Sequence, residues 1–178
     1  MKTASGAMTD VPRALRVLGV DPGLNITGYG VLAPSPQGPK LCEAGVVRST
    51  AGRSLAYRVA QIHEGLADVI SALEPEVMAV EELFSHYQRP RTSILMGHAR
   101  GVIVLAAAQK EIPVVSYSAT QVKKLLTGSG RAPKLQMQHA VQRELGLSQP
   151  PDPPDVADAL AIALCHYYLA KQSARLRA

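Results

Sequence analysis

The chain has 178 residues, room for one domain with one good core, and 47% of them are apolar, which excludes a disordered polymer. Its longest apolar run, Gly101 to Ala108, is far too short to span a bilayer, and Cys42 and Cys165 have no partners at zinc or disulfide-framework spacing. The formal charge is +5, from 19 basic against 14 acidic side chains, and it is unevenly placed.

Residues 1–15 read as a loose extension without the apolar core of a signal peptide, so a reduced, cytoplasmic setting is expected. Three strand-like stretches follow, Arg16 to Val20, Thr27 to Ala33 and Leu41 to Ser49, the last two joined by a loop from Pro34 to Pro39. Such tight connections predict antiparallel neighbours. A helix is predicted from Ser54 to Leu73, with Leu55, Val59, Ile62, Leu66, Val69 and Leu73 in one apolar stripe. Val77 to Val80 reads as a short buried strand running into Glu81 and Glu82.

A second helix, Ser93 to Lys110, is apolar almost all round in its later half and carries Gly97 and Gly101 four apart on one face. A helix apolar on every side needs cover on every side, which predicts a sandwich between the sheet and a second copy of the chain, a homodimer. Pro113 to Tyr117 is a fifth strand. A basic loop through Gly128-Ser129-Gly130 then leads to a helix at Leu135 to Leu145. A last helix runs from Asp155 to about Ala170. The order describes one α/β domain over 16–170, a five-stranded mixed β-sheet with helices on its faces, and a short tail over 171–178.

Between His86 and Arg143 stand nine Lys and Arg (89, 91, 100, 110, 123, 124, 131, 134 and 143) against one acid, Glu111, a local charge of +8. Solvated helix faces are the bland explanation; a surface for a polyanion is the better one, with Arg89, Arg91, Lys123, Lys124, Arg131 and Lys134 as its candidates. Four acids occupy special places. Asp21 ends the first strand in a D-P-G turn, Glu81 ends the fourth, and Asp155 and Asp158 open the last helix on one face. If the first and fourth strands are neighbours and the last helix crosses their ends, the four carboxylates converge. Like charges gather in a cleft only around cations, and Mg²⁺ or Mn²⁺ suits an all-oxygen set. Two such ions about 4 Å apart would clamp an in-line phosphoryl displacement. Singly, each acid has a plainer reading: Asp21 as a turn cap, Glu81 and Glu82 as loop acids, Asp155 as an N-cap.

These residues taken together resemble the RuvC family of bacterial Holliday-junction resolvases. The resemblance rests on V-D-P-G at Val20–Gly23, T-G-Y-G-V at Thr27–Val31, A-V-E-E-L-F at Ala79–Phe84 and Ala99-Arg100-Gly101. It continues through Gln121-Val122-Lys123, Gly128 to Lys134, and D-V-A-D-A-L-A-I-A at Asp155–Ala163. It implies an RNase H-like fold, a homodimer, and paired metal-dependent nicking of like-polarity strands across a four-way DNA junction in recombination and repair. It implies Asp21, Glu81, Asp155 and Asp158 as catalytic acids holding two Mg²⁺ or Mn²⁺ ions, with Glu82 as the fallback for Glu81. Lys123 and Lys134 fall at the family's positions near the scissile phosphate, and Phe84, the single Phe, falls where an aromatic stacks on junction bases. Docking with the branch-migration proteins RuvA and RuvB is implied by the family alone. The rival readings are a junction-binding protein with a decayed site and an actin-like phosphotransferase, which also opens on Asp-x-Gly but needs a second lobe that 178 residues cannot supply.

Overall fold

The computed structural model describes residues 15–83 and 90–176. Its strands are β1 (Val17–Asp21), β2 (Ile26–Ser35), β3 (Gly38–Arg48), β4 (Val77–Glu81) and β5 (Val114–Tyr117). Its helices are α1 (Leu55–Leu73), α2 (Pro90–Ala108), α3 (Ala119–Thr127), α4 (Lys134–Glu144) and α5 (Pro154–Arg175). The strands form one sheet in the order β3-β2-β1-β4-β5. β1, β2 and β3 form an antiparallel meander; β1 pairs parallel with β4, and β4 with β5. This is the expected mixed sheet of an RNase H-like fold, with β1 at its centre.

Side chains alternate across the sheet with period two. Leu18, Val20, Met78 and Val80 face one side, where they pack with Ile62, Leu66 and Ile70 of α1 and Ala99, Ile103 and Ala107 of α2. Val17, Val77 and Ala79 face the other, against Leu160, Ala163 and Leu164 of α5 and Met137 and Val141 of α4. Each buried Leu, Ile or Val contributes about 1.5–3 kcal/mol relative to staying exposed, so both layers are held chiefly by burial. α1 begins where Ser54 caps it, its side chain accepting from the Tyr57 backbone N–H, and ends at Glu74 in the left-handed region.

Three local expectations change. The loop expected over Pro34–Pro39 is largely strand: Ala33 pairs with Lys40, Pro34 with Pro39 and Ser35 with Gly38. Pairing of β2 with β1 stops at Leu32, so both prolines lie in a two-stranded ribbon that asks little of their missing N–H donors. Residues 119–127, which fall where a basic loop is expected, form α3, started by a Ser118 side-chain cap on Gln121 N–H and stopped by Gly128 at φ 77°. α5 runs on to Arg175, beyond the expected end near Ala170.

Candidate metal and nucleic-acid site

Because β1 and β4 are parallel, Asp21 and Glu81 reach the same edge of the sheet at the strands' carboxyl ends, where open α/β sheets place their ligands. Alternation then decides the face. Asp21 follows Val17 and Gly19, and Glu81 follows Val77 and Ala79, so both point to the α5 side. Glu82 has the parity of Val80 and points away: it is exposed and lines a groove with Leu83, Gly97, Arg100, Gly101 and Ser116. Glu81 instead lines a recess of about 150 Å³ with Lys123, Lys134, Met137 and Asp158. Period two in V-M-A-V-E-E could have separated the two acids from the sequence.

α5 is brought onto these strand ends by small residues. Gly28 stands opposite Asp21 in the β1–β2 ladder, and a Cβ there would lie 2.1 Å from the Asp155 carbonyl oxygen. A Cβ on Gly19 would lie 2.2 Å from the Ala159 carbonyl oxygen. The helix backbone therefore rests directly on the sheet, and its first turn overhangs the end of β1. Asp155 lies inside that first turn; the N-cap position is Pro153, with no side-chain cap, so Asp155 does not serve as the cap. The D-P-G turn is closed by the buried Thr27, whose hydroxyl donates to the Gly23 carbonyl at 2.8 Å. The far edge of the site is tied down by Tyr117 of β5, whose hydroxyl meets His166 Nδ1 of α5 at 2.9 Å in a buried contact.

The electrostatics are dominated by Asp21. Burial, and then Glu81, Asp158 and Asp155, push its carboxyl from 3.8 up to about 8, against a smaller opposing pull from Lys134. Glu81 is also raised, by burial first and by Asp158 next, while Lys123, a hydrogen bond with Asp21 and Lys134 act the other way. Lys134 Nζ lies 3.3 Å from Asp158 Oδ2, and that carboxylate is the main reason the ammonium is raised. Among the described residues no three His, Cys, Asp or Glu side chains are gathered tightly enough to hold an ion as they stand. Asp21 and Glu81 instead act on each other, each carboxyl changing the other's proton affinity. Four oxygen-donor acids on rigid elements, one of them ionised at neutral pH only with help, fit hard divalent cations.

The basic candidates fall unequally. Lys123 of α3 and Lys134, the first residue of α4, flank Glu81 and Asp158 in the recess, whereas Asp155 lines a separate cavity with Gly23, Asn25 and Arg58. Lys124, Arg131 in the α3–α4 connection, and Arg91 in the first turn of α2 are exposed. Phe84 and Arg89 lie outside the described residues. Arg100 is partly buried and hydrogen-bonded within the chain. On α2, the expected all-round burial is met on one side by Ala99, Ile103, Ala106 and Ala107, while Ile94 and Leu105 remain 62% and 48% exposed. Gly97 and Gly101 have nothing within 4 Å of where a Cβ would stand.

Acids at the ends of two adjacent parallel strands, and at the start of a helix laid across them, define a nuclease of the RNase H-like class. The family model described as "Crossover junction endodeoxyribonuclease RuvC" matches residues 17–166. A crossover junction endodeoxyribonuclease RuvC of Rhodopirellula baltica is 56% identical over 156 residues, 86% of each chain. That of Moorella thermoacetica is 45% identical over 150 residues, 84% of this chain and 89% of the relative. Among solved structures, RuvC of Thermus thermophilus in complex with Holliday junction substrate superposes with a TM-score of 0.83 at 35% identity, over 90% of this chain and 97% of that one. The chain belongs to the RuvC family. No helix among the described residues is long and apolar enough to cross a membrane.

Proposed function

We infer that this chain is a structure-selective endonuclease that resolves four-way DNA junctions by paired, metal-dependent nicks in strands of like polarity, in recombination and repair. The observation that carries the reading is Asp21: a buried carboxyl hemmed in by Glu81, Asp158 and Asp155, which only a cation or a proton can relieve. Substrate and activity also accord with close relatives that are crossover junction endodeoxyribonucleases.

In this reading Asp21, Glu81, Asp155 and Asp158 hold two Mg²⁺ or Mn²⁺ ions. When bound, the ions supply an activated water and counter-charge for the leaving oxygen. The residues do the rest. Asp21 would contribute to both ions, Glu81 to one, and Asp155 and Asp158 to the other. Lys123 and Lys134 hold the scissile phosphate against the acids, and Lys134 draws Asp158 into line. Arg89, Arg91, Lys124 and Arg131 bind the backbone of the arms, which makes junction affinity steeply salt-dependent. Phe84 stacks on a junction base. The open face of α2 takes a second copy, so two sites related by a twofold axis meet the junction's two like strands. A cytoplasmic setting and docking with RuvA and RuvB complete the proposal.

The test uses a synthetic four-way junction incubated with Mg²⁺ or Mn²⁺ and with wild type or Asp21→Asn. Symmetric nicks with 5′-phosphate ends from wild type alone are expected, with junction binding kept in both proteins. Binding without nicks from wild type would mean a non-catalytic junction binder. ATP turnover without junction binding would mean a phosphotransferase.

A further inference from the structure

The Ala99-Arg100-Gly101 segment lies in the basic third of the chain, yet Arg100 does not behave like its neighbours. Its Nε donates to the backbone carbonyl oxygen of Glu81 at 3.1 Å, and its Nη2 donates to Ser116 Oγ at 2.7 Å. One side chain thus joins α2 to the ends of β4 and β5. The position it holds is paired with Tyr117 on the β5 side but not on the β1 side. Pairing of β4 with β1 ends at Val20 and Val80, so Glu81 stands one residue past that ladder. On the other side the last tie is Glu82 N–H to the Tyr117 carbonyl at 2.9 Å. A strand-end carbonyl in a partly buried setting needs a donor, and Arg100 supplies it. The planar fork suits two acceptors on two strands, which an ammonium reaches less well.

We propose that Arg100 is a positioning residue for Glu81: it fixes the end of β4 so that the Glu81 carboxyl stays beside Asp21 and Asp158. This rests on the reading of Glu81 as a metal ligand. With its Nε and one Nη2 proton engaged by two acceptors inside the chain, Arg100 has structural partners that the exposed Arg91, Lys124 and Arg131 do not show. Groups that orient ligands from behind typically carry 10- to 100-fold in metal affinity or activity. Displacing Glu81 should therefore appear as a metal requirement and leave DNA affinity alone.

The experiment compares wild type, Arg100→Gln, Arg100→Lys, Ser116→Ala and Glu81→Gln by three readouts. These are calorimetric Mn²⁺ binding to the DNA-free protein, the Mn²⁺ concentration for half-maximal single-turnover cleavage, and junction Kd in Ca²⁺. R100Q is expected to weaken Mn²⁺ binding and raise the half-maximal concentration by roughly tenfold or more, with junction Kd within about twofold and cleavage recovered at high Mn²⁺. R100K should recover part of the loss, and S116A should shift both metal readouts in the same direction by less. Weakened junction binding with unchanged Mn²⁺ binding would make Arg100 a phosphate contact and overturn the proposal; so would three unchanged readouts. If R100Q does not fold, S116A decides, and unchanged Mn²⁺ binding there overturns the role. E81Q with wild-type Mn²⁺ affinity overturns the ligand reading and this role together. E81Q impaired beside a normal R100Q overturns the Arg100 role alone.

Discussion

A carboxyl raised to about 8 holds its proton through most of the neutral range, and Asp21 is such a group in the metal-free chain. The folded state then binds more protons than the unfolded one between the ordinary value of 3.8 and about 8, so stability falls as pH rises through that window and levels above it. The contribution is fully present below 3.8 and lost as pH passes the folded value. Asp21→Asn removes the titration. Metal-free D21N is expected to unfold at higher urea than wild type at pH 8, by at least about 2 kcal/mol, with the two proteins converging near pH 4. Mg²⁺ should reverse the order by stabilising wild type alone. Equal urea midpoints at pH 8 without metal would refute a strained Asp21. Lys134 presents the opposite case. Its side chain is 70% exposed, so the pair with Asp158 is screened and contributes under about 1 kcal/mol to stability. Lys134→Ala should leave the melting temperature nearly unchanged while cutting cleavage more than about tenfold, through loss of a cation beside the phosphate. A variant that cuts normally would free Lys134 from the site.

At the scale of elements, the site depends on how closely α5 lies on β1 and β2. A methyl on Gly28 would stand 2.1 Å from the Asp155 carbonyl oxygen, which is helix backbone and cannot rotate aside. Gly28→Ala must lift the first turn of α5, and with it Asp155, from the end of β1. The expected cost is about 1–3 kcal/mol of stability, measured by urea unfolding, with a larger loss in cleavage at saturating Mn²⁺. Full activity in a stably folded G28A would mean the overhang of α5 is not needed. This bed of glycines also marks what could be read in advance. V-D-P-G, the paired acids of α5 and the five strands are written in local pattern. The closeness of helix to sheet is not, because Gly19 and Gly28 become meaningful only once Ala159 and Asp155 lie over them. For residues 119–127, Ser118 and Gly128 are legible caps, but Lys123 and Lys124 break the apolar periodicity of so short a helix. Arg100 entered only as part of the local basic charge and of Ala99-Arg100-Gly101, since no pattern of charge tells an internal partner from a phosphate.

At the scale of the whole molecule, one face of α2 has no cover among the described residues. Ile94 is 62% exposed, Leu105 is 48% exposed, and Gly97 and Gly101 leave bare backbone between them. A stable pair of protomers needs roughly 800 Å² from each partner, and an apolar helix with a glycine notch supplies a flat centre for one. Twofold symmetry doubles each residue's effect, because every α2 side chain on the axis meets the interface twice. Leu105→Glu combined with Ile94→Glu places four carboxylates in that interface. Sedimentation equilibrium in the micromolar range should then find monomer for the double variant and, if the proposed pairing holds, dimer for wild type. Calorimetric Mn²⁺ binding should persist, because Asp21, Glu81, Asp155 and Asp158 all belong to one chain. Junction cleavage should fall at least about tenfold and lose its pairing, since two linked sites hold each other at high effective concentration on one junction. A double variant that stays dimeric would move the interface off α2, and one that is monomeric yet makes paired symmetric nicks would remove the need for a dimer.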